Sequence, residues 1–380
     1  MSFSSLGLSA PLLLAVTEQK YVQPYPIQIE AIPHILQGKD LLGIAQTGSG
    51  KTASFVLPIL QRLQNKKPSS ARHPKVLVLV PTRELAMQIA TVFDSFGAKL
   101  PTRLRSLAIY GGVNINTQID ALQHVAIVIA TPGRLLDLLD SKSVFLSAIE
   151  VLVLDEADKL LNLGFQEEMN RIFDLLPAQR QNLLFSATLN DNVALLNNIL
   201  LHDPVKIEIK PEKENLDLIK QTAYRVEDER KGVLLRYLIK KQEIKQVLVF
   251  TSSTRRADNV VAKLIKNGID AAAMHGDKSQ AARTEALRRF KDGQLRVLVA
   301  TDLASRGIDI QFLPFVINYE LPRSPTDYVH RIGRTGRAES SGEAISLICP
   351  DDEHHFGVIQ KKMKRKVELL ETGDWDLKGY

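Results

Sequence analysis

The chain has 380 residues, room for two domains of ordinary size. Its 44% hydrophobic and 24% charged content describes a globular protein and excludes disorder, collagen and coiled coil. Lys and Arg number 49 against 43 Asp and Glu, a net of +6 that permits a nucleic-acid partner without requiring one. Residues 1–210 carry 19 basic and 18 acidic groups and residues 211–380 carry 30 and 25, so the excess lies in the second half. The single cysteine, Cys349, excludes an intrachain disulfide and a Cys-rich metal site and fits a reducing compartment. It follows the apolar run Ala344–Ile348 and reads as a buried structural thiol. Met1–Val16 lacks a basic start and carries Pro11 inside its apolar stretch, and no apolar run reaches membrane-spanning length. A cytoplasmic protein with no membrane partner is the expectation.

In chain order, short apolar runs alternate with helix-length amphipathic stretches. Leu41–Ala45, Val76–Val80, Val125–Ala130, Val151–Leu154 and Leu183–Phe185 read as strands in the first half. Thr52–Gln64, Glu84–Phe96 and Gln166–Leu176 read as the helices between them. In the second half the strands are Val247–Phe250, Ala271–Met274, Val297–Ala300, Phe315–Tyr319 and Ala344–Ile348, with helices over Thr254–Asn267 and Ala281–Phe290. Buried runs of this kind belong to mostly parallel sheets flanked by helices, so the fold class is α/β, twice over. Between the halves, Lys210–Asp217 is charged, contains Pro211 and has almost nothing to bury. This sets domains at 1–209 and 219–380 with a linker at 210–218. Asn65–Pro74 reads as an exposed loop, and Lys361–Lys366 as a solvated helix face before a short C-terminal tail.

Ligands of parallel sheets sit outside the carboxyl ends of the strands, so the residues that follow each run matter most. After Leu41–Ala45 comes Gln46–Thr52, reading Gln-Thr-Gly-Ser-Gly-Lys-Thr, and then a helix. Gly48, Ser49 and Gly50 let backbone N–H groups converge on phosphate, Lys51 reaches the β/γ-phosphates, and the Thr52 hydroxyl suits Mg²⁺. The strict phosphate-loop pattern asks for Gly where Ala45 stands. After Val151–Leu154 comes Asp155-Glu156-Ala157-Asp158. A carboxylate at the end of a buried strand needs a counter-charge, and nucleotide-bound Mg²⁺ supplies one at Asp155. Glu156 is then placed to orient or deprotonate an attacking water. The two features together mean hydrolysis of a nucleoside triphosphate, and a kinase or GTPase could share them.

Asp155–Asp158 with Ser186-Ala187-Thr188 and the run His330–Arg337 resembles the signature of the DEAD-box RNA helicases of superfamily 2. The likeness extends in order through Pro24–Gln28, Ala45–Thr52, Pro81–Leu85, Gly111-Gly112, Thr131–Arg134, Val249–Thr251, Gln280–Arg283 and Ala300–Asp309, and it includes Ala45. It implies two tandem RecA-like domains, ATP and Mg²⁺ as cofactors, and single-stranded or duplex RNA as partner. By the same resemblance Gln28 reads adenine, Phe3 lies near it or is an ordinary buried anchor, Asp309 contacts ribose, and Gly307 belongs to the nucleotide-binding set. Arg334 and Arg337 look like arginine fingers, and Arg331 would join them at the γ-phosphate. Asp158, Ser186, Thr188 and His330 would couple the ATP site to RNA. Pro81, Thr82, Arg83, Gly112, Thr131, Arg134, Thr251, Arg283 and Thr301 would hold the RNA backbone with little base preference. Lys20 and Tyr25 depart from the family pattern, which usually has Gly and Thr or Ser there. The implied activity is RNA-driven domain closure with local unwinding of short duplexes or RNA–protein complexes by a monomeric core. A DNA translocase and a non-unwinding RNA clamp are the competing readings. Targeting falls to protein partners or to Lys361–Lys366.

Overall fold

Fourteen short strands, nearly all β-branched or leucine-rich, assemble into two seven-stranded sheets in a computed structural model that describes residues 2–46, 48–66, 71–209, 219–302, 313–336, 342–377 and 379–380. The chain divides into two compact units, Met1–Pro211 and Glu212–Tyr380. The expected linker at 210–218 lies outside the described residues.

The first unit holds β1 (Leu41–Ile44), β2 (Val76–Leu79), β3 (Ser106–Ile109), β4 (Ile127–Ala130), β5 (Val151–Leu154), β6 (Gln181–Ser186) and β7 (Val205–Glu208). Their order is β3-β4-β2-β5-β6-β1-β7 and every pairing is parallel. Alternate residues supply two cores, as a sheet covered on both faces requires. Val76, Val78, Val151, Val153 and Phe185 pack one face under helices that include Lys51–Leu63 and Arg83–Gly97. Leu77, Leu79, Leu152, Leu154 and Leu184 pack the other, under helices that include Pro132–Asp140, Ala157–Asn162 and Asp191–Leu200.

The second unit repeats the plan with β8 (Ile219–Arg225), β9 (Val247–Thr251), β10 (Ala271–Met274), β11 (Val297–Thr301), β12 (Phe315–Asn318), β13 (Gly342–Ile348) and β14 (Glu368–Glu371). Its order is β10-β11-β9-β12-β13-β8-β14, again all parallel. Helices Asp228–Lys241, Thr254–Lys266, Gln280–Lys291, Pro325–Ile332 and Glu353–Met363 cover it.

The C-terminal segment is built into this unit instead of trailing from it as a tail. β14 pairs with β8, the Trp375 ring packs 5.5 Å from Tyr224 and 5.4 Å from Tyr237, and Arg236 Nη2 donates to Tyr380 O at 2.7 Å. Cys349 is half-buried and not enclosed, because it stands just past the end of β13. Among the described residues no helix is long and apolar enough to cross a membrane.

Candidate active site and nucleic-acid interface

The nucleotide-type residues follow three consecutive strands. β1 leads into the phosphate loop, β6 into Ser186–Thr188 and β5 into Asp155–Asp158, and these strands are neighbours. Ala45 N donates to Ser186 O at 3.0 Å, carrying the parallel ladder into the start of the loop. Gly48 and Gly50 take positive φ of 82° and 87°, which only glycine adopts freely. At Gly50 a Cβ would also collide with the Gln28 amide, 2.5 Å away. Ser49 Oγ donates to Gln46 O at 2.7 Å, and Thr52 is half-buried in the first turn of the helix.

Lys51 turns back into its own loop and donates to Ala45 O at 2.5 Å, and its burial pulls the ammonium pKa down. Gln28 is fully buried: Tyr25 N donates to its Oε1 at 3.0 Å and its Nε2 donates to Gly50 O at 3.1 Å. The amide expected to read adenine therefore holds the phosphate loop. Phe3 is buried, its ring edge-on to Tyr21 with centroids 6.3 Å apart, so it packs as a core anchor. Lys20 stands at φ 60°, the left-handed region, which is a physical reason for glycine at such a position.

At the end of β5, Asp155 is buried and its Oδ1 accepts from Glu156 N at 2.9 Å. Burial pushes its pKa up to about 6, against the pull of Lys51. Glu156 caps the next helix at φ 54°. Its Oε1 accepts from Lys159 Nζ at 2.7 Å, while its buried Oε2 has no partner. Sequence reasoning passed over Lys159, which an i, i+3 spacing on a helix start could have flagged. Thr188 Oγ1 donates to Asp158 Oδ2 at 3.1 Å, joining β6 to β5. Ser186, grouped with Thr188 in the coupling role, donates its Oγ to Thr188 O at 2.8 Å and so braces that turn.

The RNA-type residues of the first unit follow three of the remaining four strands, at the same edge. Pro81–Arg83 follow β2, Gly112 follows β3, and Thr131 and Arg134 follow β4. Thr82 Oγ1 caps its helix by accepting from Leu85 N at 3.3 Å. Arg83 lies against Gly112, whose φ is 85° and whose absent side chain leaves room for the guanidinium. Arg134 Nη1 donates to Val113 O at 3.0 Å, so these loops are tied together.

In the second unit Thr251 and Thr301 end β9 and β11 and stand directly opposite one another in the ladder. Arg283 is buried on the helix that covers β10 and β11. His330 is exposed in the last turn of Pro325–Ile332, and Arg334 is half-buried just beyond. Gly307, Asp309 and Arg337 lie outside the described residues. Arg331, grouped with the γ-phosphate arginines from sequence, is committed elsewhere. Its Nε and Nη2 donate to Asp302 at 2.6 and 2.7 Å, its Nη1 to Asn318 Oδ1 at 3.0 Å and Glu320 O at 2.7 Å, and it lies 4.9 Å over the Phe250 ring. This buried fork holds the ends of β9, β11 and β12 together. Asn318 and Glu320 carry no motif of their own in the sequence, and Asp302 lies within Ala300–Asp309 with no role assigned to it there.

Residues 25–196 match the DEAD/DEAH box helicase family, and residues 230–339 match the helicase conserved C-terminal domain. The chain belongs to the DEAD-box family of ATP-dependent RNA helicases. It is 40% identical over 376 residues to the DEAD-box ATP-dependent RNA helicase CshA of Bacillus cereus, covering 99% of this chain and 70% of the relative. It is 40% identical over 371 residues to RhpA of Helicobacter pylori, covering 97% and 74%. Among solved structures, Saccharomyces cerevisiae Dbp5 bound to RNA and ADP BeF3 superposes with a TM-score of 0.84 at 32% identity, covering 99% of this chain and 97% of that one. A DEAD box protein from Methanococcus jannaschii gives a TM-score of 0.55 at 37% identity, covering 97% and 99%. The two sheets of this helicase are therefore RecA-like, and its chemistry is ATP hydrolysis on RNA.

Proposed function

We propose that this helicase binds ATP on the first unit and RNA along the carboxyl edges of both sheets, and hydrolyses ATP when RNA draws the units together. Closure bends one strand and pries apart a short duplex or an RNA–protein complex. The supporting observation is the division of one sheet edge. Nucleotide-type residues follow β1, β6 and β5, RNA-type residues follow β2, β4 and β3, and the two sets meet at the paired strands β5 and β2. A phosphate gripped beside β2 and a carboxylate at the end of β5 can then sense each other through one ladder.

In this reading Gly48, Ser49, Gly50 and Lys51 cradle the phosphates, and Gln28 exchanges its loop bonds for adenine. Glu156, with a buried oxygen to spare, orients or deprotonates the water. Thr52 and Asp155 would hold Mg²⁺, an ion that takes one or two protein oxygens and shares the rest with phosphate and water. When bound, it offsets charge developing on the phosphates. An acid held at about 6 by burial gains from such a counter-charge, so the donors present fit. Arg334 and Arg337 complete the site from the second unit, a contribution of roughly 10³–10⁵ in rate. Asp309 meets the ribose, Gly307 belongs to the same nucleotide-binding set, and Phe3 supports the adenine side from within the core. Asp158, Thr188, Ser186 and His330 link hydrolysis to RNA, and ATP and RNA must tighten each other's binding equally. A monomeric cytoplasmic core directed by protein partners belongs to the same proposal.

The test is Glu156→Gln. The variant should lose turnover while keeping ATP-dependent RNA binding, and hydrolysis at the wild-type rate would overturn the role of that carboxylate. RNA should also stimulate the wild-type ATPase more than DNA of equal length; the reverse order would mean a DNA enzyme.

A further inference from the structure

Of the RNA-type residues of the second unit, Thr251 and Thr301 end paired strands and are fixed by the ladder. Arg283 is not. It lies one turn into helix Gln280–Lys291, whose Ala286 and Phe290 pack with Met274 and Leu298 on one face of the sheet. Something other than strand pairing must aim that helix. At its far end Arg289 Nη2 donates to Asp270 Oδ2 at 2.9 Å, just before β10. Its near end follows from the turn His275–Lys278, where the chain leaves β10, an edge strand.

Both ends of that turn are held by one carboxylate. Asp258 stands on helix Thr254–Lys266, whose Ala257, Val260 and Leu264 pack with Ala271, Ala273, Val297 and Val299 on the opposite face of the sheet. His275 is 1% exposed, and its Nε2 donates to Asp258 Oδ1 at 3.1 Å. The buried Nδ1 of that ring has no hydrogen-bond partner, so Asp258 alone orients it through a polar contact. Lys278 Nζ donates to the same Asp258 oxygen at 2.8 Å. The hydrogen bond from Lys278 is the chief reason the Asp258 carboxyl stays below the usual carboxylate range, and it therefore remains an acceptor for both. One side chain thus joins the helix on one face to the turn that starts the helix on the other.

We propose, resting on the reading of Arg283 as an RNA contact, that Asp258 is a positioning residue for RNA binding: by holding His275 and Lys278 it sets the start of helix Gln280–Lys291 and aims Arg283 at the RNA backbone. The connection from one to the other is continuous. Lys278 N donates to His275 O at 3.1 Å, Ser279 Oγ accepts from Ala282 N at 3.3 Å, and Arg283 N donates to Ser279 O at 3.0 Å. Without Asp258 a buried imidazole keeps no polar partner, which favours another ring position and loosens the turn. A guanidinium meets phosphate through a rigid fork, so a small displacement of its helix weakens the contact.

The experiment is the ATPase of the full chain at saturating ATP, titrated with single-stranded RNA. Asp258→Ala should raise the half-saturating RNA concentration by about 5-fold and leave kcat at saturating RNA, and the half-saturating ATP concentration, as in wild type. Lys278→Met should give part of the same rise, and Lys278→Arg, which keeps a donor, should restore the wild-type dependence; this pair carries the comparison if Asp258→Ala does not fold. Arg283→Ala should raise the value at least as far, and adding Asp258→Ala to it should change it by no more than about 2-fold, since the carboxylate acts through that arginine. An RNA dependence unchanged by Asp258→Ala, or effects that multiply in the double variant, overturns the proposal. So does a lower unfolding midpoint with unchanged RNA half-saturation, which would make Asp258 a stability contact only. If Arg283→Ala itself leaves RNA half-saturation unchanged, the RNA reading of that arginine fails and the proposal falls with it; a response to Arg283→Ala without one to Asp258→Ala removes the positioning role alone.

Discussion

Asp155 makes the ligand-free first unit less stable than its fold allows, and the cost depends on pH. The carboxyl titrates at about 6 in the fold and at 3.8 in its ordinary state, chiefly because burial disfavours the charged form. At about 1.4 kcal/mol for each pH unit between those values, the difference comes to about 3 kcal/mol. Below pH 3.8 both states hold the proton and the cost vanishes. Between 3.8 and about 6 the unfolded chain has released the proton and the fold has not, so stability falls as pH rises. Above about 6 the full cost is present. Asp155→Asn keeps the acceptor for Glu156 N and removes the charge. The attraction of Lys51 is already contained in the shift to about 6, so the gain should be about 3 kcal/mol at pH 8. Hydrogen exchange of β5 and β6 amides, read by mass spectrometry without nucleotide, reports this unit alone. The variant should exchange more slowly than wild type at pH 8, with the difference in derived stability gone by pH 4. A variant no more stable at pH 8, or a gain equal at both pH values, would refute the reasoning.

Lys20→Gly should raise the stability of the first unit by about 0.5–1 kcal/mol, since relief of the left-handed strain exceeds the added freedom of the unfolded chain; the urea midpoint followed by circular dichroism checks it. Gly112→Ala should cost about 1 kcal/mol and displace Arg83, weakening RNA stimulation of the ATPase by about 10-fold while leaving ATP affinity intact. Arg331→Ala should destabilise the second unit by about 2–3 kcal/mol, because it removes a buried guanidinium and leaves the fully buried Asn318 Oδ1 without its donor. Trp375 fluorescence reports that unit, and an unchanged unfolding midpoint with lost turnover would return Arg331 to the catalytic group.

Central strands were legible in the sequence because both faces of each are covered, which leaves an unbroken apolar run. Val151–Leu154 matches its predicted limits for that reason. Edge strands were harder to see, apart from Ala271–Met274, an edge strand whose side chains are mostly buried. β3, β7 and β14 each leave side chains partly exposed, so Ser106–Ile109, Val205–Glu208 and Glu368–Glu371 show no such run. β8 lies inside the sheet but carries Lys220, Gln221 and Thr222, polar enough to hide it. Motif residues at strand ends were found wherever the chemistry demanded a residue type. The Arg331 fork could not be found that way, since Asn318 and Glu320 are ordinary residues and Asp302 has no role of its own in the sequence until the ends of β11 and β12 bring them to one guanidinium. Arg331 itself was misassigned because proximity in sequence to Arg334 says nothing about which way a helix turns its side chains.

The bond from Gln28 to Gly50 would give the proposed reading of adenine a particular character. The side chain that would inspect the base is already satisfied, so each candidate base is judged against an incumbent partner and not against water. Adenine can return one acceptor and one donor for the two contacts it displaces. Guanine presents two acceptors, N7 and O6, on the edge where adenine presents N7 and its amino group, so one end of the amide would be left without a match. Rejection by a stranded polar group is far steeper than rejection by a missing methylene. Discrimination here is a matter of what the wrong base fails to give back.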